Sequence, residues 1–405
     1  MLSQETIQII KSTVPVLQTH GEAITKRFYQ MMFTNHPELL NIFNHANQRK
    51  GRQQKALANA VYAAAANIDQ LEQIMPAVKQ IAHKHRSLGV VPEQYPIVGE
   101  NLLAAIKDVL GDAATDEVIQ AWKEAYEVIA KVFIDAEHEM YEEAAKKEGG
   151  WRGFRPFIVE RKVKESDVIA SFYLKPEDGG PISEFLPGQY ISVKMEIEGE
   201  QYQHIRQYSL SDAPGKDYYR ISVKRESGYG TQPDGIVSNY LHREVQENDV
   251  LYISPPAGDF ALDMNDRSTL VLISGGVGIT PLLSMLHAAA QKQPEREIIF
   301  IHAAINGDVH AMHGEVSELA AQRDNIKYYV CYEKPTDKDR KEKNFDKEGY
   351  IDADFLQTVI PNKEQAQYYF CGPIPFMKTV NQILKQWVSP EQIHFEFFGP
   401  ASVLE

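Results

Sequence analysis

The sequence predicts a multidomain α + β protein in which an all-α domain precedes an antiparallel β domain and then an α/β domain with a parallel sheet. Three observations carry this. Residues 1–148 place apolar side chains at intervals of three and four, with many alanines and few β-branched runs, which is the spacing of helices with one buried face. Residues 149–263 hold short alternating stretches separated by turn residues, as in an antiparallel barrel or sandwich. Across 264–405 continuous apolar stretches alternate with helical ones, the pattern of a parallel sheet covered by helices. A chain of 405 residues exceeds one hydrophobic core, so two or three domains are expected.

The opening MLSQETIQIIKS has no basic segment, long apolar run or small-residue cleavage site, and reads as a capped helix start. The alanine-rich LANAVYAAAANI is too short and too often interrupted to span a bilayer. A formal charge of -14 opposes a nucleic-acid or anionic-membrane partner, since both need basic surface. Cys331 and Cys371 are the only cysteines, too few for a disulfide framework or a four-thiolate metal site, so a reducing, cytoplasmic setting is expected.

Within the helical segment, a helix begins at about Pro76 and carries Val78, Ile81, Ala82 and Leu88 on its apolar stripe. His85 falls on that stripe, and His83, about 200° away around the axis, is expected to face solvent. An inward histidine alone is more commonly a satisfied core residue. Two further oddities sharpen the case. The stripe of Trp122, Tyr126, Ile129 and Phe133 continues to Glu137 and Met140, and a carboxylate there is costly unless something receives its charge. Gln53 shares a helix face with Leu57, Ala60 and Val61. An apolar pocket with a few placed polar groups is what a cofactor site needs. His36 and His45 lie in the connecting segment and are expected at the surface, and His20 has no assigned role.

At KKEGGWRGF (146–154) glycines end the helices, and FIVERKV, ASFYLK, QYISVKME, QYSLS, YRISVKR and VLYISPP follow as strands. IRQYSLS (205–211) sets Arg206 and Tyr208 in tandem, and PGQY (187–190) puts Tyr190 on an earlier strand. GIVSNYL (235–241) begins a helix whose free amides, near Ser238, can hold a pyrophosphate. TLVLIS then runs into Gly275-Gly276-x-Gly278, with Thr280 expected as N-cap and Pro281 as the first helical residue. These glycines let a backbone approach a diphosphate, whose charge the helix dipole favours. The spacing is GGxGxTP, distinct from the G-x-G-x-x-G of a dinucleotide fingerprint. EIIFIHAA, KYYVCY and QYYFCG are the later strands, and the run at 333–349 is expected to be a solvated loop. Cys371 as a nucleophile is the competing reading of FCGP (370–373), without a paired histidine nearby in sequence. EFFGP (396–400) follows, and no CxxxxCxxC cluster is present.

RFYQMMFTNHPELLNIF (27–43), the Gln53–Leu57 pair, KHRSLGVVPEQY (84–95) and AWKEAYEVIAKVFIDAEHEMY (121–141) resemble the globin part of a flavohemoglobin. The four reductase motifs, Tyr190 in PGQY included, resemble the ferredoxin–NADP reductase-like superfamily across residues 150–405. The resemblance implies a globin fold, an antiparallel β-barrel FAD domain and an α/β NAD(P)-binding domain. It implies His85 as the proximal ligand of a haem b iron, with Tyr95 and Glu137 as the partners of its other nitrogen. Tyr29 would donate to bound dioxygen, flanked by Gln53 and Leu57, and Phe43 would pack on the haem face. In the reductase half it implies that Arg206 pairs with the FAD pyrophosphate, Tyr208 stacks on the isoalloxazine and Ser209 bonds near the reactive nitrogen. Gln207 lies among these, and Tyr190 flanks the adenine or ribityl side. Gly275, Gly276, Val277, Gly278, Ile279, Thr280 and Pro281, with Cys371, Gly372 and Pro373, would take NAD(P)H. Glu396, Phe397, Phe398, Gly399 and Pro400 would close the site, Phe398 covering the flavin face, with Glu396 and Lys84 at the flavin–haem junction.

The activity implied is nitric oxide dioxygenation, with nitric oxide, dioxygen and NAD(P)H as its small-molecule partners, NADH favoured, and no obligate protein partner. The rivals are peroxide reduction or oxygen-independent nitric oxide reduction at the same haem, a gas carrier or sensor, and a ferric or flavin reductase with a vestigial globin.

Overall fold

The computed structural model describes residues 2–228, 230 and 233–399. Among these the chain forms two compact units, one of residues 2–154 with 192–206 and 399, the other of 155–191 with 207–398.

The first unit is built on α1 (Gln4–Ser12), α2 (Val14–Asn35), α3 (His45–Arg49), α4 (Arg52–Ala66), α5 (Met75–Leu88), α6 (Gln94–Leu110) and α7 (Asp116–Lys146). Ser3 caps α1 by accepting the Thr6 amide at 3.0 Å, as its position in the sequence predicts. Thr115 does the same for α7, followed by Asp116 and Glu117 in the first turn, where the helix dipole favours negative charge. Gly89, at φ 80°, ends α5, a left-handed position that suits a residue without Cβ. Ile10, Phe28, Met32, Ile106 and Trp122 form the centre of the core. Gly99 on α6 permits the closest approach: a Cβ there would stand 2.5 Å from Cε1 of Tyr126 on α7.

One expectation fails on α5. His83 is half-buried rather than turned to solvent. The fully buried positions are Val78, Ala82, Arg86 and Ser87, so burial extends beyond the 78–81–85 stripe and encloses the helix on more than one side. The periodic pattern marks only the apolar side of that enclosure.

The chain after Phe154 forms a barrel and then a parallel sheet. The barrel strands are β1 (Arg155–Lys164), β2 (Ile169–Pro176), β3 (Tyr190–Met195), β4 (His204–Ser209), β5 (Tyr219–Lys224) and β6 (Val250–Ile253), in the order β4-β3-β6-β1-β2-β5. β1 runs antiparallel to both β2 and β6. A bridge from Leu210, just past β4, to Ile221 on β5 joins the two ends of that order, so the sheet is a barrel and not a sandwich. Helix α8 (Ile236–Arg243) lies between β5 and β6 in the chain.

The parallel part runs β7 (Thr269–Gly275), α9 (Ile279–Lys292), β8 (Ile298–Ala304), α10 (His313–Ala321), β9 (Ile326–Tyr332), α11 (Asp337–Glu342), β10 (Lys347–Glu348), α12 (Ala353–Val359), β11 (Ala366–Cys371), α13 (Ile374–Leu384) and β12 (Ile393–Phe395). Its order is β10-β9-β8-β7-β11-β12, all parallel. Chain direction across the sheet reverses between β7 and β11, and ligands of such folds bind beyond the carboxyl ends of the strands at that point. The run at 333–349 is more than a solvated loop. Thr336 and Asp339 form a capping box that starts α11, and β10 extends the sheet. Asp339 is 2 % exposed because it also accepts the Gly307 amide at 3.1 Å.

Candidate functional site

The helical unit brings His85, Glu137 and Tyr95 into one hydrogen-bonded triad. His85 Nδ1–H donates to Glu137 Oε1 at 2.7 Å, and the Tyr95 hydroxyl donates to the same oxygen at 2.6 Å. The His85 ring nitrogen and the Tyr95 hydroxyl are 3.2 Å apart. Glu137 is 3 % exposed, so both donors serve a carboxylate that has left water, which makes each bond charge-assisted. Burial first, and then the neighbouring Glu137 charge, raise the Tyr95 hydroxyl well above its ordinary value, so it stays protonated and keeps donating. Tyr126, which donates to the Tyr95 carbonyl at 2.6 Å, holds the start of α6 in place. The carboxylate fixes the imidazole tautomer: Nδ1 carries the proton, and Nε2 has its lone pair available. Among the described residues Nε2 has no hydrogen-bond partner, and the Phe133 ring lies 6.1 Å from the imidazole. A ring anchored at one nitrogen and open at the other fits an axial metal ligand. Among the described residues no group of three or more His, Cys, Asp or Glu could hold a metal ion.

On α2 the Tyr29 side chain is buried within a cluster of Phe28, Phe33 and Phe43, at ring distances of 4.8, 5.7 and 5.8 Å. The side-chain amides of Gln53 and Gln48 lie near its hydroxyl. Burial raises its ionisation well above the usual range, only partly offset by those amides, so the Tyr29 hydroxyl stays protonated. Phe43 and Leu57 border the same core. Gln48 escaped sequence reasoning because α3 is too short to show a periodic face. The one signal for it was the need of a buried tyrosine hydroxyl for partners. His36 and His45 are half-buried, short of the surface placement expected for them, because their rings bond locally, His36 to Glu38 at 3.2 Å and His45 to the Leu40 carbonyl at 2.8 Å. His20 is exposed.

In the barrel, Arg206, Gln207 and Tyr208 are half-buried in succession along β4, and Ser209 is buried. Strand alternation would bury only every second one, so both faces of β4 are partly covered here. Tyr190 opens β3 and packs its ring against Gly258, where a Cβ would come within 2.9 Å. Ser238 spends its hydroxyl locally, accepting the Glu226 amide at 3.0 Å and reaching the Gly235 carbonyl at 3.3 Å. The α8 N-terminus has no side-chain cap, which leaves its amides for a ligand.

At the reversal point, the glycine loop and the Cys371–Gly372 turn are packed backbone to backbone. A Cβ on Gly278 would stand 2.2 Å from the Cys371 carbonyl oxygen and 2.7 Å from the Gly372 amide nitrogen. Gly276 has φ +54°, and Phe376 lies under both Gly275 and Gly372. This bare backbone cradle fits a diphosphate. The helix start differs from expectation: α9 begins at Ile279 with Gly278 as its N-cap. The Thr280 hydroxyl donates back to the Val277 carbonyl at 3.1 Å instead of capping. A short 3-10 turn at Gly276–Gly278 feeds directly into the helix, and Pro281 still sits in the first turn, where its missing N–H costs nothing. Pro373 caps α13.

Cys371 is buried, donates to the Glu396 carbonyl at 3.4 Å, and burial pushes its thiol far up, the opposite of an activated nucleophile. Phe397 packs on Phe395 at 5.6 Å, while Phe398 is 46 % exposed. Lys84 Nζ lies 3.5 Å from the Gly399 carbonyl. Pro400 falls outside the described residues.

Known families match all three segments: the globin model at residues 26–133, the oxidoreductase FAD-binding domain at 156–262 and the oxidoreductase NAD-binding domain at 272–382. The flavohemoprotein of Halalkalibacterium halodurans is 61% identical over 404 residues, 100% of this chain and 98% of that protein. The flavohemoprotein of Bacillus subtilis is 57% identical over 401 residues, 99% of this chain and 98% of that protein. Among solved structures, the flavohemoglobin from Malassezia yamatoensis with bound FAD and heme superposes with a TM-score of 0.83 at 27% identity, over 98% of this chain and 100% of the other. The FAD/NAD-binding domain of nitric oxide dioxygenase from Vibrio cholerae has a TM-score of 0.56 at 36% identity, over 62% of this chain and 100% of that one.

Proposed function

Since the chain belongs to the flavohemoprotein family, oxidoreductases that carry haem, FAD and a nicotinamide-binding module, we propose that it is a nitric oxide dioxygenase working in the cytoplasm. In this reading residues 1–148 hold haem b, 149–263 hold FAD and 264–405 receive NAD(P)H. Haem iron supplies the place where dioxygen and nitric oxide combine to nitrate, and FAD supplies the conversion of a hydride pair into single electrons.

The His85–Glu137–Tyr95 triad carries this reading. Donation of the Nδ1 proton to a buried carboxylate gives the imidazole anionic character and makes Nε2 a stronger electron donor. His85 would hold the haem iron through Nε2, and an electron-rich imidazole there would favour reductive use of dioxygen over storage. Tyr29, beside the Gln53 amide, would offer its hydroxyl proton to a partly negative diatomic ligand on that side. Leu57 and Phe43 exclude water from that side. Arg206 neutralises the FAD pyrophosphate with help from the α8 amides near Ser238. Tyr208 orients the isoalloxazine, Ser209 bonds its edge, and Gln207 and Tyr190 line the same groove. The loop Gly275–Pro281 and the turn Cys371–Pro373 cradle the nicotinamide diphosphate, and Phe398 shields the flavin until nicotinamide arrives. Lys84 and Glu396 bias electron passage by their charges.

The test is nitric oxide consumption and nitrate formation by the NADH-fed protein with and without dioxygen. Nitrate should form only with dioxygen. Equal nitric oxide consumption in both conditions would overturn the dioxygenase in favour of a reductase, and NADH oxidation indifferent to nitric oxide would favour a carrier or sensor.

A further inference from the structure

A buried arginine outside the sites above links the strand assigned to flavin with the helix assigned to nucleotide. Arg220 on β5 is 4 % exposed. Its two terminal nitrogens donate to Glu315 on α10 at 3.1 and 2.9 Å. Its Nε donates to the Ser211 hydroxyl at 3.1 Å, and one terminal nitrogen also donates to the Ser211 carbonyl. Ser211 lies just past Ser209, at the exit of β4. On the far side, His287 of α9 places Nε2 2.6 Å from Glu315 Oε1. About one turn earlier on the same face of α9, the Ser284 hydroxyl donates to the Asp212 carbonyl at 2.7 Å. The polar chain therefore runs from the end of β4 through Arg220 and Glu315 to α9, the helix that the glycine loop leads into.

A planar guanidinium bonded along both edges fixes direction as well as distance. Desolvating such a pair consumes most of its Coulombic gain, so well-packed apolar side chains would hold the barrel and the nucleotide sheet together equally well. What apolar packing does not supply is a unique orientation of one against the other. Burial alone would raise the Glu315 carboxyl, yet the His287 hydrogen bond and the Arg220 charge bring it down to about 2. The pair thus remains ionised at any pH where the enzyme works.

We propose that the Arg220–Glu315–His287 clasp sets the separation and angle between the nicotinamide cradle and the flavin strand, making Arg220 and Glu315 positioning residues for hydride transfer. This rests on the flavin and nucleotide assignments proposed above. Hydride transfer requires donor and acceptor at near-attack geometry, and a displacement of about 1 Å can cost on the order of 100-fold in rate.

The experiment is anaerobic stopped-flow reduction of FAD by NADH in full-length holoprotein, comparing wild type with Glu315→Gln, Arg220→Lys and Arg220→Met. The limiting rate of flavin bleaching should fall about 10- to 100-fold. Half-saturating NADH, FAD content and the haem Soret band should stay at wild-type values. The isotope effect with NADH deuterated at the transferred position should rise as transfer becomes limiting. Wild-type limiting rates in the variants would overturn the proposal, as would a change confined to half-saturating NADH or to FAD retention. Should Arg220→Met not fold, the near-isosteric Glu315→Gln still decides. Failure of NADH to reduce FAD in the wild type would instead defeat the underlying assignment of cofactor sites.

Discussion

Glu137 and His85 were legible from helical periodicity because each breaks an apolar stripe, and a break of that kind needs a reason in burial energetics. Gln48 was not, since its role appears only when the chain folds α3 back onto Tyr29. The polar groups so placed predict distinct outcomes. Tyr29→Phe removes one hydroxyl donor to a partly charged acceptor, about 1.5 kcal/mol or more. Dioxygen should leave the reduced protein roughly ten times faster, with both cofactors retained, as flash photolysis would measure. An unchanged off-rate would remove Tyr29 from the site. Glu137→Gln should weaken haem retention by about 10- to 100-fold and lower the iron–histidine stretching frequency. His302 on β8 gives a pH signature. Its ring bonds the Ser274 hydroxyl at 2.7 Å, and burial, with His313 nearby, depresses its pKa from 6.5 to about 3. Between those values the unfolded chain binds the proton and the folded chain does not. Stability is therefore complete above about pH 6.5 and declines as pH falls toward 3. His302→Asn should melt lower than wild type at neutral pH yet lose less on acidification, by thermal denaturation across that window.

At the scale of elements, strands with several apolar residues stood out in the sequence, and β1 to β9 and β11 all correspond to quoted stretches. β10 and β12 did not stand out, because elements of two and three residues exist only through pairing with β9 and β11. The α11 capping box was written in the sequence as Thr336-Asp337-Lys338-Asp339 but masked by the density of surrounding charge. The start of α9 could not be placed from residue preferences either. Thr280 is a good cap by type, yet the turn at Gly276–Gly278 already supplies helical geometry. That turn makes Gly278→Ala informative. Its Cβ would collide with backbone atoms of Cys371 and Gly372, so the loop must shift away from β11. Flavin reduction by NADH should fall by at least about 100-fold, while the dithionite-reduced, carbon monoxide-bound haem spectrum stays normal. Normal NADH turnover in this variant would show that the contact does not position the nucleotide.

For the molecule as a whole, the chemistry proposed for the haem half should separate from that of the flavin half. His85→Ala should lose or misligate haem and abolish nitrate formation, while NADH still reduces FAD and a soluble dye through it. Parallel loss of dye reduction would mean that the flavin half depends on the haem half for its own folding.

The parallel sheet terminates on one side in Lys347–Glu348 and on the other in Ile393–Phe395, and the barrel meets itself through Leu210 and Ile221. The short β10 thus covers one corner of the parallel sheet, and the Leu210–Ile221 bridge ties the end strands of the barrel together, so both sheets carry some cover against an intermolecular strand.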